Sequence, residues 1–293
     1  MNKEARDNYM KITTKLATLL VSSFMLLGAV SPALALTIPS MSPRMQLTDV
    51  SSQNYSSNWS GYAVTAASGS TFSSVSGSWT VPGVTGTGTA YAAFWVGLDG
   101  DSSSTVEQTG TLSEVSTSMS RHGSTTTEIY YAWYEFYPAA MYEITSATST
   151  TSSTTVSATV QPEDSISASV TYQSGNIFSI TITDTTQGWT YTTTGTVSNA
   201  ARSSAEWIAE APSSSRGVHP LADFGTVSFT SCEATLTGGT AQSVSSFGSN
   251  VQMIEMATES YNFRTHSYVI NPEATPSTLG TGGASFSVTW NSA

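Results

Sequence analysis

The sequence predicts an all-β protein in which two antiparallel sheets pack face to face as a β-sandwich. Three observations predict it. Apolar and polar residues alternate with period two through many short segments, which puts one side of each segment in a core and the other in water. Gly, Asn and Asp separate those segments at the short spacing of a sandwich. No stretch beyond the first 35 residues carries the apolar period of an amphipathic helix.

The chain has 293 residues, and its beginning does not belong to that fold. Lys3, Arg6, Lys11 and Lys15 precede an uncharged, mostly apolar run from Leu16 to Val30, then Pro32 and Ala33-Leu34-Ala35. A basic start, a short greasy stretch and an A-x-A site describe a secretory signal peptide, cleaved after Ala35. The run is shorter than the roughly 20 residues a spanning helix needs. The protein is therefore expected outside the cell. Residues 36–53 hold Pro39 and Pro43-Arg44 and little periodicity, and read as a loose extension or short propeptide. Residues 54–293 then form one domain, a size that all-β sandwiches reach as a single unit.

Within that domain the strand candidates follow in order. Thr155 to Val160, Ser165 to Val170, Phe178 to Ile182 and Ser285 to Trp290 all alternate. Ser174-Gly175-Asn176 lies between two of them and predicts a hairpin turn. Serine and threonine fill the polar positions, which by itself would also fit a disordered stalk. The seven tryptophans and the regular alternation favour a packed core.

Charge narrows the function. Every lysine lies in the leader, so residues 36–293 keep five arginines against 18 carboxylates, a formal charge near −13. Nucleic-acid binding requires the opposite sign, and attachment to an anionic membrane is disfavoured for the same reason. Work in acid suits this composition, because carboxylates protonate as pH falls and few bases remain to repel one another. Cys232 has no internal disulfide partner. It sits in a strand-like run and reads as a buried structural thiol. No heptad or obvious interface is present, and a monomer is expected.

Three segments interrupt the Ser/Thr pattern: Ala92 to Gly100 leading into Val106 to Gly110, Tyr130 to Pro138, and Ala205 to Pro212. The familiar hydrolase signatures are missing. There is no G-x-S-x-G elbow, no H-E-x-x-H and no Asp-Thr-Gly or Asp-Ser-Gly. His122, His219 and His266 are scattered and read as surface or loop residues, so neither a metal nor another cofactor is expected. Carboxylates and amides remain. Residues two apart on a strand share a face. Glu206, Ile208 and Glu210 thus point one way, as do Tyr131, Trp133, Glu135 and Tyr137, and as do Val106 and Gln108. Acids inside aromatic strands are costly to bury unless paired, protonated or functional. Glu107 and Glu206 are expected on the solvent side of their strands. Glu135 and Glu210 are singled out as functional candidates by the resemblance described next.

These segments resemble the glutamic peptidases, the eqolisin family. The resemblance rests on Asn58-Trp59-Ser60-Gly61, Trp95 to Gly100, Gln108 to Gly110, Ala132 to Pro138 and Ala205 to Glu210, in that order, across residues 55 to about 290. It implies a concanavalin- or lectin-like jelly roll with a substrate groove on the concave face. It also implies Glu210 and Gln108 as the catalytic pair, with Trp59, Trp95, Asp99, Glu135, Trp133 and Tyr137 lining or supporting the groove. The expected activity is acid endopeptidase cleavage of protein or peptide substrates. Two features depart from the fungal pattern: Cys232 has no disulfide partner, and Ala211-Pro212 follows Glu210. Two other functions fit the residues alone. Glu135 and Glu210 could act as the paired carboxylates of a glycoside hydrolase, or the same fold could serve as a non-catalytic, lectin-like binding module.

Overall fold

The structure, a computed structural model, describes residues 39–47, 54–121 and 123–293. The predicted leader and its cleavage site lie outside the described residues, as does His122. The described residues form one compact unit. Among the described residues there are twenty strands and one short 3₁₀ segment, Val244–Asn250. The expected hairpin is present, with Gly175 and Asn176 joining Ser165–Ser174 to Ile177–Asp184.

The sandwich forms as the alternation requires. One sheet runs, in spatial order, Tyr142–Ile144, Gly123–Tyr137, Val106–Ser120, Thr89–Leu98, Ser204–Glu210, Trp59–Thr65 and Val251–Asn262, each antiparallel to its neighbour. The second sheet is built around Trp189–Thr196, Ile177–Asp184, Ser165–Ser174, Phe72–Thr80, Thr226–Leu236 and Phe286–Trp290. The long Val251–Asn262 strand also pairs with Ser267–Pro276, which pairs with Phe286–Trp290, so the two sheets are seamed along one side.

The core between the sheets contains Phe94, Val96 and Trp207 from the first and Trp79, Phe178, Ile180 and Phe229 from the second. Burying each large apolar side chain stabilises by about 1.5–3 kcal/mol. The buried indoles also find acceptors: Trp207 Nε1 donates to the Ser76 carbonyl at 2.7 Å and Trp79 Nε1 to Thr111 Oγ1 at 3.0 Å. Cys232 is fully buried in this core, and burial pushes its thiol up, so it is an inert packing group. A second apolar cluster covers the other face of the first sheet. It holds Trp59, Trp95, Trp133, Tyr131 and Ile208, with Tyr137 packed at its edge. The central strands of the first sheet are therefore buried on both faces, which explains why Ala92 to Leu98 reads as nearly continuous apolar sequence.

This double burial brings backbones very close. Gly61 adopts a φ of +148°, and a Cβ there would collide with the Trp207 carbonyl of the neighbouring strand. Gly69 also has positive φ, but nothing lies near the site of its missing Cβ. Gly61→Ala should cost about 1–3 kcal/mol for overpacking in addition to the backbone strain. Gly69→Ala should cost the strain alone. Thermal melts of the two variants check this, and equal shifts would show that the contact between these strands is not the constraint.

Candidate active site

The second cluster forms the floor of a groove, and the first sheet's registers set the polar groups on it. One cross-strand row runs Ala63, Glu206, Gly97, Gln108, Glu135. Four positions further along, Glu210 stands opposite Trp59 and Ala93. Glu206, Ile208 and Glu210 share this face, as period two requires. Gly97 has no side chain to crowd Gln108, and the Trp95 ring leans over the space above it.

Glu210 is fully buried and receives three N–H donors. Trp95 Nε1 donates to Oε2 at 2.9 Å, and Asn58 Nδ2 and the Ser42 amide donate to Oε1 at 3.4 and 3.1 Å. Burial raises its carboxyl well above the ordinary range, and the nearby Glu135 carboxylate adds to the rise. The three donors act in the opposite sense but do not outweigh burial. Gln108 Nε2 donates to Glu135 Oε2 at 2.8 Å, while Gln108 Oε1 has no partner. Burial pushes Glu135 up to about 8, against the opposing effects of Gln108 and the Ser40 hydroxyl. Among the described residues no hydrogen bond joins Gln108 directly to Glu210. Both lie on the groove floor, with Glu135 bonded to one and electrostatically coupled to the other.

The remaining predicted residues occupy distinct places. Trp59 and Trp95 meet edge to face with centroids 4.9 Å apart. Trp133 is fully buried in the groove cluster with an unpartnered Nε1, and Tyr137 packs at the cluster's edge. Asp99 does not reach the groove floor chemistry. Its carboxylate accepts the Arg202 and Ser203 amides, each at 2.7 Å, and so anchors the turn that launches the strand carrying Glu206 and Glu210. Asn58 opens one of the sequence motifs but has no role assigned from the sequence, unlike its neighbour Trp59. Its side chain binds Glu210 and also accepts from the Met45 amide at 2.8 Å. His219 and His266 stand apart, against Tyr91 and Tyr261 respectively, and no group of carboxylates, histidines or cysteines among the described residues could hold a metal.

One expectation is corrected. Glu107 and Glu206 do not face solvent: both are fully buried, and neither carboxyl has a hydrogen-bond partner. Glu107 shares a face with Leu98 and Phe136, under the second sheet, and burial with the nearby Asp99 pushes it up to about 9. Glu206 is raised well above the ordinary range, again chiefly by burial. Alternation identified each residue's side correctly, but both sides of these strands are covered. Residues 36–53 are expected from the sequence to be a loose extension or a short propeptide. The described part, 39–47, is packed along the groove, and Met41 is fully buried within its aromatic cluster.

With this geometry in view, the sequence matches the Peptidase A4 family over residues 57–275, and the chain belongs to that family. It is a glutamic-type endopeptidase with the eqolisin β-sandwich. It is 33% identical over 220 residues to aspergillopepsin-2 of Aspergillus niger, covering 67% of this chain and 70% of that one. Among solved structures it resembles scytalido-glutamic peptidase with a transition state analog inhibitor. The TM-score is 0.59 at 26% identity, over 80% of this chain and 98% of that one. It also resembles SCP-B, an eqolisin in complex with the tripeptide Ala-Ile-His, at TM-score 0.56 and 25% identity over the same shares.

The raised carboxyls make the fold itself proton-dependent. A carboxyl whose folded-state pKa lies above its unfolded value binds its proton more tightly in the native state. Its contribution is fully present below about 4.5 and is lost as pH climbs toward the folded value. Glu107, Glu135 and Glu206 all act in this sense, so the melting temperature should fall between pH 5 and 9. Glu107→Gln removes one such group. It should raise stability at pH 8 by at least about 1.4 kcal/mol, the free energy of a tenfold difference in proton affinity, while changing little at pH 4. Melts across this range check it, and an unaltered pH slope would mean that Glu107 ionises freely.

Proposed function

We propose that this chain is a secreted acid endopeptidase in which Glu210 activates the attacking water and Gln108 stabilises the oxyanion. The observation that carries the reading is the Ser42 amide on Glu210: an extended peptide lies in the groove with a main-chain N–H directed at the proposed base. In hydrolysis an ionised Glu210 takes a proton from water, the resulting hydroxide adds to the peptide carbonyl, and Glu210 returns the proton to the departing amine. No acyl-enzyme is needed. Gln108 has a second N–H beyond the one given to Glu135, available for the developing oxyanion, and a free Oε1 that can orient water. Glu135 fixes the amide's orientation. Trp95 and Asn58 hold the Glu210 carboxyl in place.

Glu210 is favoured over Glu206 as the base because of its partners. Register places Glu206 in the same row as Gln108, but its carboxyl is enclosed and bonded to nothing. Activity is expected on the acid side of neutral once residues 39–47 leave the groove, because water then reaches Glu210 and relieves the burial that raises its carboxyl. The leader pattern supports export, and no described helix is long and apolar enough to cross a membrane.

Casein hydrolysis from pH 2 to 7 tests the assignment, with a pepstatin-treated control expected to retain activity. Glu210→Gln and Gln108→Ala should each lower kcat by about 10²–10³-fold or more. Glu206→Gln should retain most of the activity. Full turnover in Glu210→Gln would remove it as the base, and a loss confined to Glu206→Gln would transfer the role to Glu206.

A further inference from the structure

Two hairpins overhang the same end of the groove. The cross-strand row that carries Glu210 runs Trp59, Glu210, Ala93, Leu112, Tyr131. Beyond Leu112 the Val106–Ser120 strand continues, but its pairing with Thr89–Leu98 ends at Ser116. The rest of it pairs only with Gly123–Tyr137, as a two-stranded hairpin. At the opposite edge of the sheet, Val251–Asn262 pairs with Trp59–Thr65 only as far as Ile254. From Ala257 to Asn262 it pairs with Ser267–Pro276 alone, as a second hairpin. The successive antiparallel pairings make the two outgoing strands run the same way, from the row of Gln108 past the row of Glu210. At about 3.4 Å per residue, both tips stand on the order of 20 Å beyond Glu210.

The exposed apolar surface gathers on these two overhangs. Among the described residues, six of the nine large apolar side chains left exposed are there: Met119 and Ile129 on one hairpin, and Tyr261, Phe263, Tyr268 and Val269 on the other. Scattered exposed apolar residues are ordinary, but their concentration marks an interaction surface. Met119 is 85% exposed and Phe263 82%. The Tyr261 ring meets both Phe263 and Tyr268 edge to face, at 5.1 and 5.3 Å between centroids. Rings braced in this way lose little conformational entropy when a partner covers them. Charge sets the tips apart as well. Neither 117–127 nor 260–269 contains a carboxylate, and each holds one arginine, Arg121 or Arg264.

We infer that the two hairpins form an accessory binding site for unfolded polypeptide, holding apolar side chains of the substrate several residues away from the bond being cleaved. The inference rests on the peptidase reading. The overhang is continuous with the groove: Ile129 shares a strand face with Tyr131, which belongs to the groove's aromatic cluster. An extended chain rises about 3.3 Å per residue, so it passes from Glu210 to the tips in roughly six residues. A short peptide ends inside the groove, whereas an unfolded protein also reaches the hairpins. Other occupants fit less well. An anionic membrane would meet two arginines on a chain that is otherwise rich in carboxylates. A second copy joined tip to tip would bring the Arg264 of each copy together, with no carboxylate on either tip to receive them.

The test compares casein with a decapeptide spanning one of its cleaved bonds, using the acid-incubated exported protein and its Phe263→Ser, Phe263→Leu and Met119→Ser variants. Phe263→Ser should raise KM for casein about fivefold, the scale of one partly covered apolar side chain. Its kcat, and both constants for the decapeptide, should stay as in the parent. Phe263→Leu keeps the apolar contact and should keep most of the casein affinity. Met119→Ser, on the other hairpin, should also raise KM for casein alone. An unchanged casein KM in both serine variants overturns the site. An equal rise for the decapeptide also overturns it, because the effect then lies in the groove. Dimerisation in sedimentation, or binding to anionic phospholipid vesicles, that Phe263→Ser abolishes while casein kinetics stay unchanged would assign the tip to a second copy or to lipid, and either result overturns the proposal. Failure of the parent to cleave the decapeptide removes the peptidase reading itself, and this inference with it.

Discussion

The Ser204–Glu210 strand is buried on both faces, and the organisation of the molecule follows from that constraint. Ala205, Trp207 and Ala209 fill the core between the sheets, while Ile208 enters the groove cluster. Because the strand cannot shift by one residue without moving Trp207 out of the core, its register is fixed. The position of Glu210 is fixed with it. Asp99 reinforces the same strand from its start by binding the Arg202 and Ser203 amides. A site carried on such a strand is held more firmly than one carried on a loop.

Acid is the medium in which this arrangement is least strained. Buried carboxylates without partners are expensive when charged, and Glu107 and Glu206 have none. Protonation removes the cost without any change in packing. The chain also carries few bases, so acid does not create strong positive repulsion. Glu210 and Asp99 differ in having N–H donors around them, yet burial still raises both carboxyls above their ordinary values.

The groove residues serve both the candidate chemistry and the chain's own N-terminal segment. Asn58 binds Glu210 while it receives Met45, and Trp59 supports Trp95 while it holds Ser42. Residues 39–47 shield the apolar floor that would otherwise face water, which offsets the ordering of a segment with little periodicity of its own.

The sequence by itself determined the strands, their faces and the candidate residues. Period two allows only one assignment of sides, so Glu206, Ile208 and Glu210 share a face whichever strands pair with them. The five motifs located Gln108, Glu135 and Glu210 in order. What covers each face was decided only by the tertiary structure, because burial depends on which other strand arrives there. Alternation could not show that Glu107 lies beneath the second sheet. Nor could it show that Asp99 serves the turn some hundred residues later, or that Arg44 reaches Asp101 and Gln252. Those contacts join distant parts of the chain, and packing alone brings them together.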